Sequence, residues 1–151
     1  KYNNVQIHAH SGAAPLKPHY LLDTNIGVLK LFPGIQENVV AALLATKGLK
    51  AVVLETYGSG NAPRKEWFLR HLHDACQRGI VIVNVTQCHA GMVEMERYET
   101  GYWLMQAGVV SGYDSTTESA VTKLMFLLGH NYGPDEVRRL MTVPLAGEIT
   151  V

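Results

Sequence analysis

Three short stretches of this 151-residue chain hold the side chains and bare backbone that could do chemistry. Thr86-Gln87-Cys88 sets a hydroxyl, an amide and a thiol side by side. Gly58-Ser59-Gly60-Asn61 puts an amide side chain next to glycines. Without a Cβ, such a loop can offer bare N–H groups to a carboxylate or a phosphate, or it can serve turn geometry alone. Ser111-Gly112-Tyr113-Asp114-Ser115 leads into an apolar stripe, and Ser115-x-x-Glu118 has the form of a capping box. No complete catalytic set emerges. Cys88 and His89 are adjacent and rarely point together, so Cys88 stands as nucleophile, ligand-lining thiol or space filler. Asp114 and Glu118 fit helix capping and the helix dipole better than acid–base work. A dinucleotide fingerprint fails, because Pro63 occupies the place of the third glycine and no acidic residue closes the next strand. His8-Ala9-His10 has metal-like spacing without a supporting Cys or carboxylate cluster, and His71 and His73 face different directions on one helix. Neither a metal nor a cofactor is expected.

The elements that must position these residues follow from the apolar pattern. Ile26–Leu31 reads as a buried strand closed by Phe32-Pro33-Gly34, and Ile35, Val39, Ala42 and Leu43 continue at helical spacing up to Gly48. Ala51–Leu54 is a second strand. Pro63 suits a helix start, and Phe68, Leu72, Ala75 and Cys76 make one face of a helix ending at Gly79. Ile80–Val85 is the most apolar strand, and Val109-Val110 is a short fourth one. Glu94, Glu96, Arg97 and Glu99 read as a solvated mixed-charge stretch. Ala120, Val121, Leu124, Leu127 and Leu128 then form a helical stripe, and a last helix runs from Pro134 to before Pro144. Alternating strands and helices with short connections predict parallel β-α-β units. Nearly continuous apolar strands predict a sheet covered on both faces, hence a three-layer α/β/α sandwich with a small, Rossmann-like parallel sheet. In such sheets ligands bind beyond the carboxyl ends of the strands, where all three chemistry-bearing stretches fall.

Composition bounds the partners. Thirteen basic side chains balance 13 acidic ones, which argues against a nucleic-acid surface. Charged residues make up only 17%, against roughly 25% in ordinary soluble domains, so much surface is expected to be committed to contacts. No apolar run approaches the ~20 residues of a membrane span, and no leader-like segment opens the chain. Cys76 and Cys88 are too few for a disulfide scaffold and fit a reducing cytoplasm. Residues 1–25, with His8, His10 and His19 and no sustained periodicity, read as an inter-domain linker or arm, and residues 26–151 as the domain.

The loops also carry a resemblance. Leu31-Phe-Pro-Gly-Ile35, Tyr57-Gly-Ser-Gly-Asn-Ala-Pro63, Arg78–Asn84 with Thr86-Gln87-Cys88, Gly108-Val-Val-Ser-Gly112, Thr116–Ala120 with Thr122-Lys-Leu124, and Gly147-Glu-Ile-Thr150 follow one another at the spacing of one family. Over residues 26–151 the chain resembles the C-terminal domain of cytoplasmic type I L-asparaginases. The resemblance implies a two-domain, metal-free enzyme that hydrolyses L-asparagine to L-aspartate and ammonia. The family's nucleophilic threonine lies in a TGGT-type motif of the N-terminal domain, and neither TGGT nor HGTDT occurs in this chain. The resemblance therefore implies a fragment of the enzyme, inactive alone, that pairs with its N-terminal catalytic domain in a homodimer or dimer of dimers.

Two residue-level expectations come with it. Tyr98 matches a tyrosine that completes the neighbouring subunit's active site. Asn61, Thr86, Gln87 and Cys88 match the effector site at which allosteric members bind a second asparagine, while Glu55 stands where those members have an arginine. A glutamate there would repel the effector carboxylate that arginine clamps. The competing reading is a free-standing amino-acid-binding regulatory module without catalysis.

Overall fold

The computed structural model describes residue 15, residues 17–97 and residues 99–150. The pair His8 and His10, and Tyr98, lie outside the described residues. The elements run β1 (Ile26–Lys30), α1 (Glu37–Leu44), β2 (Ala51–Thr56), α2 (Glu66–Gln77), β3 (Val81–Thr86), α3 (Glu99–Gln106), β4 (Val110–Ser111), α4 (Thr117–Gly129) and α5 (Pro134–Met141). All strand pairs are parallel, in the order β1-β2-β3-β4. The order never reverses, so each connection crosses over the same face.

Strand alternation divides the side chains between two layers. Val52, Leu54 and Ile82 pack with Val40 and Leu44 of α1, Phe68 and Leu72 of α2 and Leu104 of α3. Ala51, Val53, Val81, Val83 and Val85 pack with Leu124 and Leu127 of α4 and Val137 and Met141 of α5. The three-layer α/β/α sandwich read from the sequence is the observed fold. Phe68, fully buried, contributes about 1.5–3 kcal/mol by leaving water.

Three local expectations are corrected. Pro63 does not start α2, which begins at Glu66 with Lys65 as its N-cap. Ser115 is not the cap of α4: Thr116 takes that place, its hydroxyl accepting from the Ser119 N–H at 3.2 Å. The fourth strand is Val110–Ser111, one residue later than expected. Glu99, exposed as expected, opens α3. Gly101 lets that helix lie against the chain, since a Cβ there would come within 2.3 Å of the Met95 carbonyl oxygen.

Two segments fasten the ends. Residues 17–25 lie on this chain's own α4: Asp23 N–H donates to the Met125 carbonyl at 3.0 Å, and the rings of His19 and His130 hydrogen-bond at 3.0 Å. The ammonium of Lys50 and the Asn25 amide hold the Asp23 carboxyl below its ordinary range. Beyond α5, Glu148 pairs with Lys123, whose side chain is 5% exposed. Lys123 also donates to the Val143 carbonyl at 2.6 Å, and Glu148 accepts from the Leu145 and Ala146 amides. Burial alone would push the Glu148 carboxyl up, but Lys123 and those amides outweigh it and hold it at about 2.

Candidate functional site

The carboxyl ends of β2 and β3 bring Thr56, Asn84 and Thr86 onto one face of the sheet and Glu55 onto the other, because successive side chains alternate. On the first face sits the loop from Tyr57 to Asn61. Its ends are pinned to each other, with the Tyr57 N–H donating to the Asn61 carbonyl at 2.9 Å and the Asn61 N–H returning to Tyr57 at 2.8 Å. The next three carbonyls are held by three different segments. Gly58 accepts from the Thr86 hydroxyl, Ser59 from the Glu94 N–H at 2.9 Å, and Gly60 from the Asn84 side-chain amide at 3.3 Å. In a trans peptide the N–H points opposite to the preceding carbonyl. Anchoring the Gly58 carbonyl therefore turns the Ser59 N–H away from Thr86.

Thr86 also accepts from the Cys88 N–H at 3.0 Å, which folds the strand end back beneath the loop. Cys88 is a free, exposed thiol. A cavity of about 380 Å³ lies between them, lined by Gly58, Ser59, Cys88, Gly91, Met92 and Glu94 among others. Asn61 faces α3, where its side-chain oxygen accepts from the Thr100 hydroxyl at 2.6 Å. That bond occupies the acceptor end of the amide and leaves its N–H₂ group as the end a ligand would meet.

The remaining expected site residues stand elsewhere. Gln87 spends its side-chain N–H₂ group on two strand ends, donating to the Leu31 carbonyl at 2.7 Å and to the Glu55 carbonyl at 2.8 Å. It is a staple across β1 and β2. Glu55 lies on the opposite face beneath α4, accepting from the Thr117 hydroxyl at 2.6 Å, with Lys30 at 3.3 Å. A carboxylate at the first turn of a helix is favoured by the helix dipole, so Glu55 has a structural occupation there. The structure thus brings Thr86, Cys88 and the glycine loop together, sets Asn61 at the α3 side, and takes Gln87 and Glu55 away from that group.

A larger cavity, about 710 Å³, lies beside β4 and is lined by Met92, Met95, Met105, Val110, Tyr113 and others. Among the described residues no group of three or more His, Cys, Asp or Glu could hold a metal ion, and no helix is long and apolar enough to cross a membrane. Cys76 is buried on α2, and burial raises its thiol against the opposing effect of Arg138.

Sequence reasoning missed Thr56, Asn84, Thr100 and Thr117. Asn84 left a signal, as a polar residue inside the apolar run Ile80–Val85. The others had none, because their partners are supplied by distant segments.

A family model described as glutaminase/asparaginase C-terminal domain matches residues 25–141. L-asparaginase 1 of Escherichia coli is 42% identical over 142 residues, covering 94% of this chain and 42% of that protein. The 60 kDa lysophospholipase of Homo sapiens is 42% identical over 149 residues, covering 98% of this chain and 26% of that protein. The crystal structure of L-asparaginase I from Vibrio cholerae superposes with a TM-score of 0.81 at 43% identity, over 85% of this chain and 39% of that one. The chain thus spans about two-fifths of these two L-asparaginases and about a quarter of the lysophospholipase.

Proposed function

The chain belongs to the glutaminase/asparaginase C-terminal domain family, and from that premise we propose that it is the C-terminal domain of an L-asparaginase. The enzyme would hydrolyse L-asparagine with water to L-aspartate and ammonia, without metal or cofactor. As the family resemblance implies, the nucleophilic threonine and its helpers belong to an N-terminal catalytic domain, and this chain holds neither TGGT nor HGTDT. The observation that carries the reading is the joint one: L-asparaginases match this chain at 42–43% identity and extend to more than twice its length. Residues 1–25 serve as the inter-domain connection, and the enzyme works in the cytoplasm as a homodimer or dimer of dimers.

Within that enzyme the domain supplies subunit contacts, and Tyr98 reaches the neighbouring subunit's site. The effector reading narrows. Cys88, the Asn61 side-chain amide and the Ser59 N–H remain as the ligand face, whereas Thr86, its hydroxyl engaged by Gly58 and Cys88, joins Gln87 and Glu55 as a support. With Glu55 held by Thr117 and Lys30 on the opposite face, position 55 supplies no cationic clamp at the loop, so asparagine binds the loop weakly.

The test has two arms. The purified chain should release no ammonia from L-asparagine, and measurable turnover would overturn the domain assignment. Calorimetry with L-asparagine should show only millimolar or weaker binding, and Glu55→Arg, on the opposite face of the sheet, should leave it unchanged. A sub-millimolar affinity in the wild type would overturn the weak-binding reading, and tighter binding by Glu55→Arg would show that position 55 does reach the loop.

A further inference from the structure

The glycine loop is a ligand face only if something fixes it. β2 and β3 are apolar along their buried length except for Thr56 and Asn84, both 0% exposed. Apolar side chains of similar volume would fill those places without any desolvation penalty, so what the polar pair adds is the bonds it makes. The Thr56 hydroxyl donates to the Asn84 side-chain oxygen at 2.6 Å, which fixes the amide with its nitrogen toward the loop. That nitrogen donates to the Gly60 carbonyl at 3.3 Å. The loop lies directly on the amide: a Cβ at residue 60 would stand 3.2 Å from the Asn84 nitrogen and 2.8 Å from Val93, and the backbone there has φ +108°. The Asn84 backbone carbonyl meanwhile accepts from the Gly112 N–H at 2.8 Å, tying the same residue to the turn before α4.

Resting on the reading of this loop as a ligand face, we propose that Asn84, oriented by Thr56, is a positioning residue for it. Asn84 sets the Gly60 carbonyl, the pinned Asn61 follows, and Thr100 then holds the Asn61 amide with its donor end free. The ligand group that such a face accepts is a carboxylate or carboxamide oxygen, since the Ser59 N–H and the Asn61 N–H₂ group are both donors. Neither Thr56 nor Asn84 touches the ligand.

The experiment measures amide hydrogen exchange by NMR on the 151-residue chain, alongside thermal unfolding and an L-asparagine titration followed at residues 58–61. The Gly60 and Asn61 amides, bonded to Tyr57 at 3.1 and 2.8 Å, are the reporters. Asn84→Leu should speed their exchange about fivefold or more, the factor that one lost hydrogen bond sets, while Ile82 in the middle of β3 keeps its protection. Thr56→Val should do the same to a smaller degree, and Thr56→Ser should leave exchange unchanged. Unchanged exchange at Gly60 and Asn61, or equal acceleration throughout β2 and β3, would overturn the proposal. If Asn84→Leu does not fold, the contrast between Thr56→Val and Thr56→Ser decides by the same criterion. Should L-asparagine leave wild-type loop signals unmoved while Asn84→Leu still frees the loop, the ligand-face reading fails and the positioning of the loop stands.

Discussion

Replacing Glu148 by Gln tests how the C-terminal segment is fastened. The carboxylate sits 14% exposed over an ammonium that is 5% exposed, with the Ala146 and Leu145 amides aimed at it from 2.6 to 3.1 Å. Its pKa is held at about 2 in the folded state, against an ordinary 4.5. A depressed carboxyl pKa gives stability that is fully present above 4.5 and is lost as pH falls toward 2. Each unit corresponds to about 1.36 kcal/mol, which sets a ceiling near 3 kcal/mol. Solvent at the open edge of the pair screens part of it, so the expected contribution is about 1–2 kcal/mol. For a domain of this size that lowers the melting temperature by roughly 2–8 °C. The assay is thermal unfolding of wild type and Glu148→Gln at several pH values between 7 and 2.5. The variant should melt lower at pH 7, and the gap should close with acid, because protonated glutamate and glutamine leave Lys123 in the same position. A gap that persists unchanged at pH 2.5, or none at pH 7, would refute the reasoning.

Other perturbations read other parts of the molecule. Phe68→Ala empties a fully buried site between α2 and the sheet and should cost about 3–5 kcal/mol in a denaturant titration. Alkylation with iodoacetamide, followed by mass spectrometry, should label Cys88 rapidly and spare Cys76 until the chain unfolds, since one thiol is exposed and the other is buried with its pKa raised. Gln87→Ala removes the staple across β1 and β2 and should cost about 1–3 kcal/mol, with faster amide exchange at Leu31 as its local signature.

Much of the architecture was legible because it is written in local runs. Ala51–Leu54 is an unbroken apolar run, Ile80–Val85 is β-branched but for Asn84, and Phe68, Leu72, Ala75 and Cys76 recur at helical spacing, so β2, β3 and α2 could be read directly. Helix α3 could not. It contains a glycine, a threonine and adjacent aromatic residues, and it forms where Gly101 closes on Met95 and Leu104 enters the core. Tertiary packing, rather than propensity, decides it. The candidate site shows the same division. Strand-end position put Thr86 and Cys88 at the loop, but the occupations of Gln87 and Glu55 depend on Leu31 and Thr117, which are far away in sequence. A residue's type announces what it can bond; only the fold tells which bonds are already spent.

The unreversed strand order has a consequence for how the chain comes into being. Register partners such as Ile26 and Ala51, Ala51 and Val81, and Val83 and Val110 stand about 25 to 30 residues apart, so each strand can pair with the one made just before it at nearly constant entropic cost. The layer made by α4 and α5 is synthesised last, yet it alone covers Ala51, Val53, Val81, Val83 and Val85. During translation the sheet therefore has an interval with one face dressed and the other bare. Any product that stops short of Thr117 keeps that bare face for good, and such products should be the ones that chaperones hold and that aggregate.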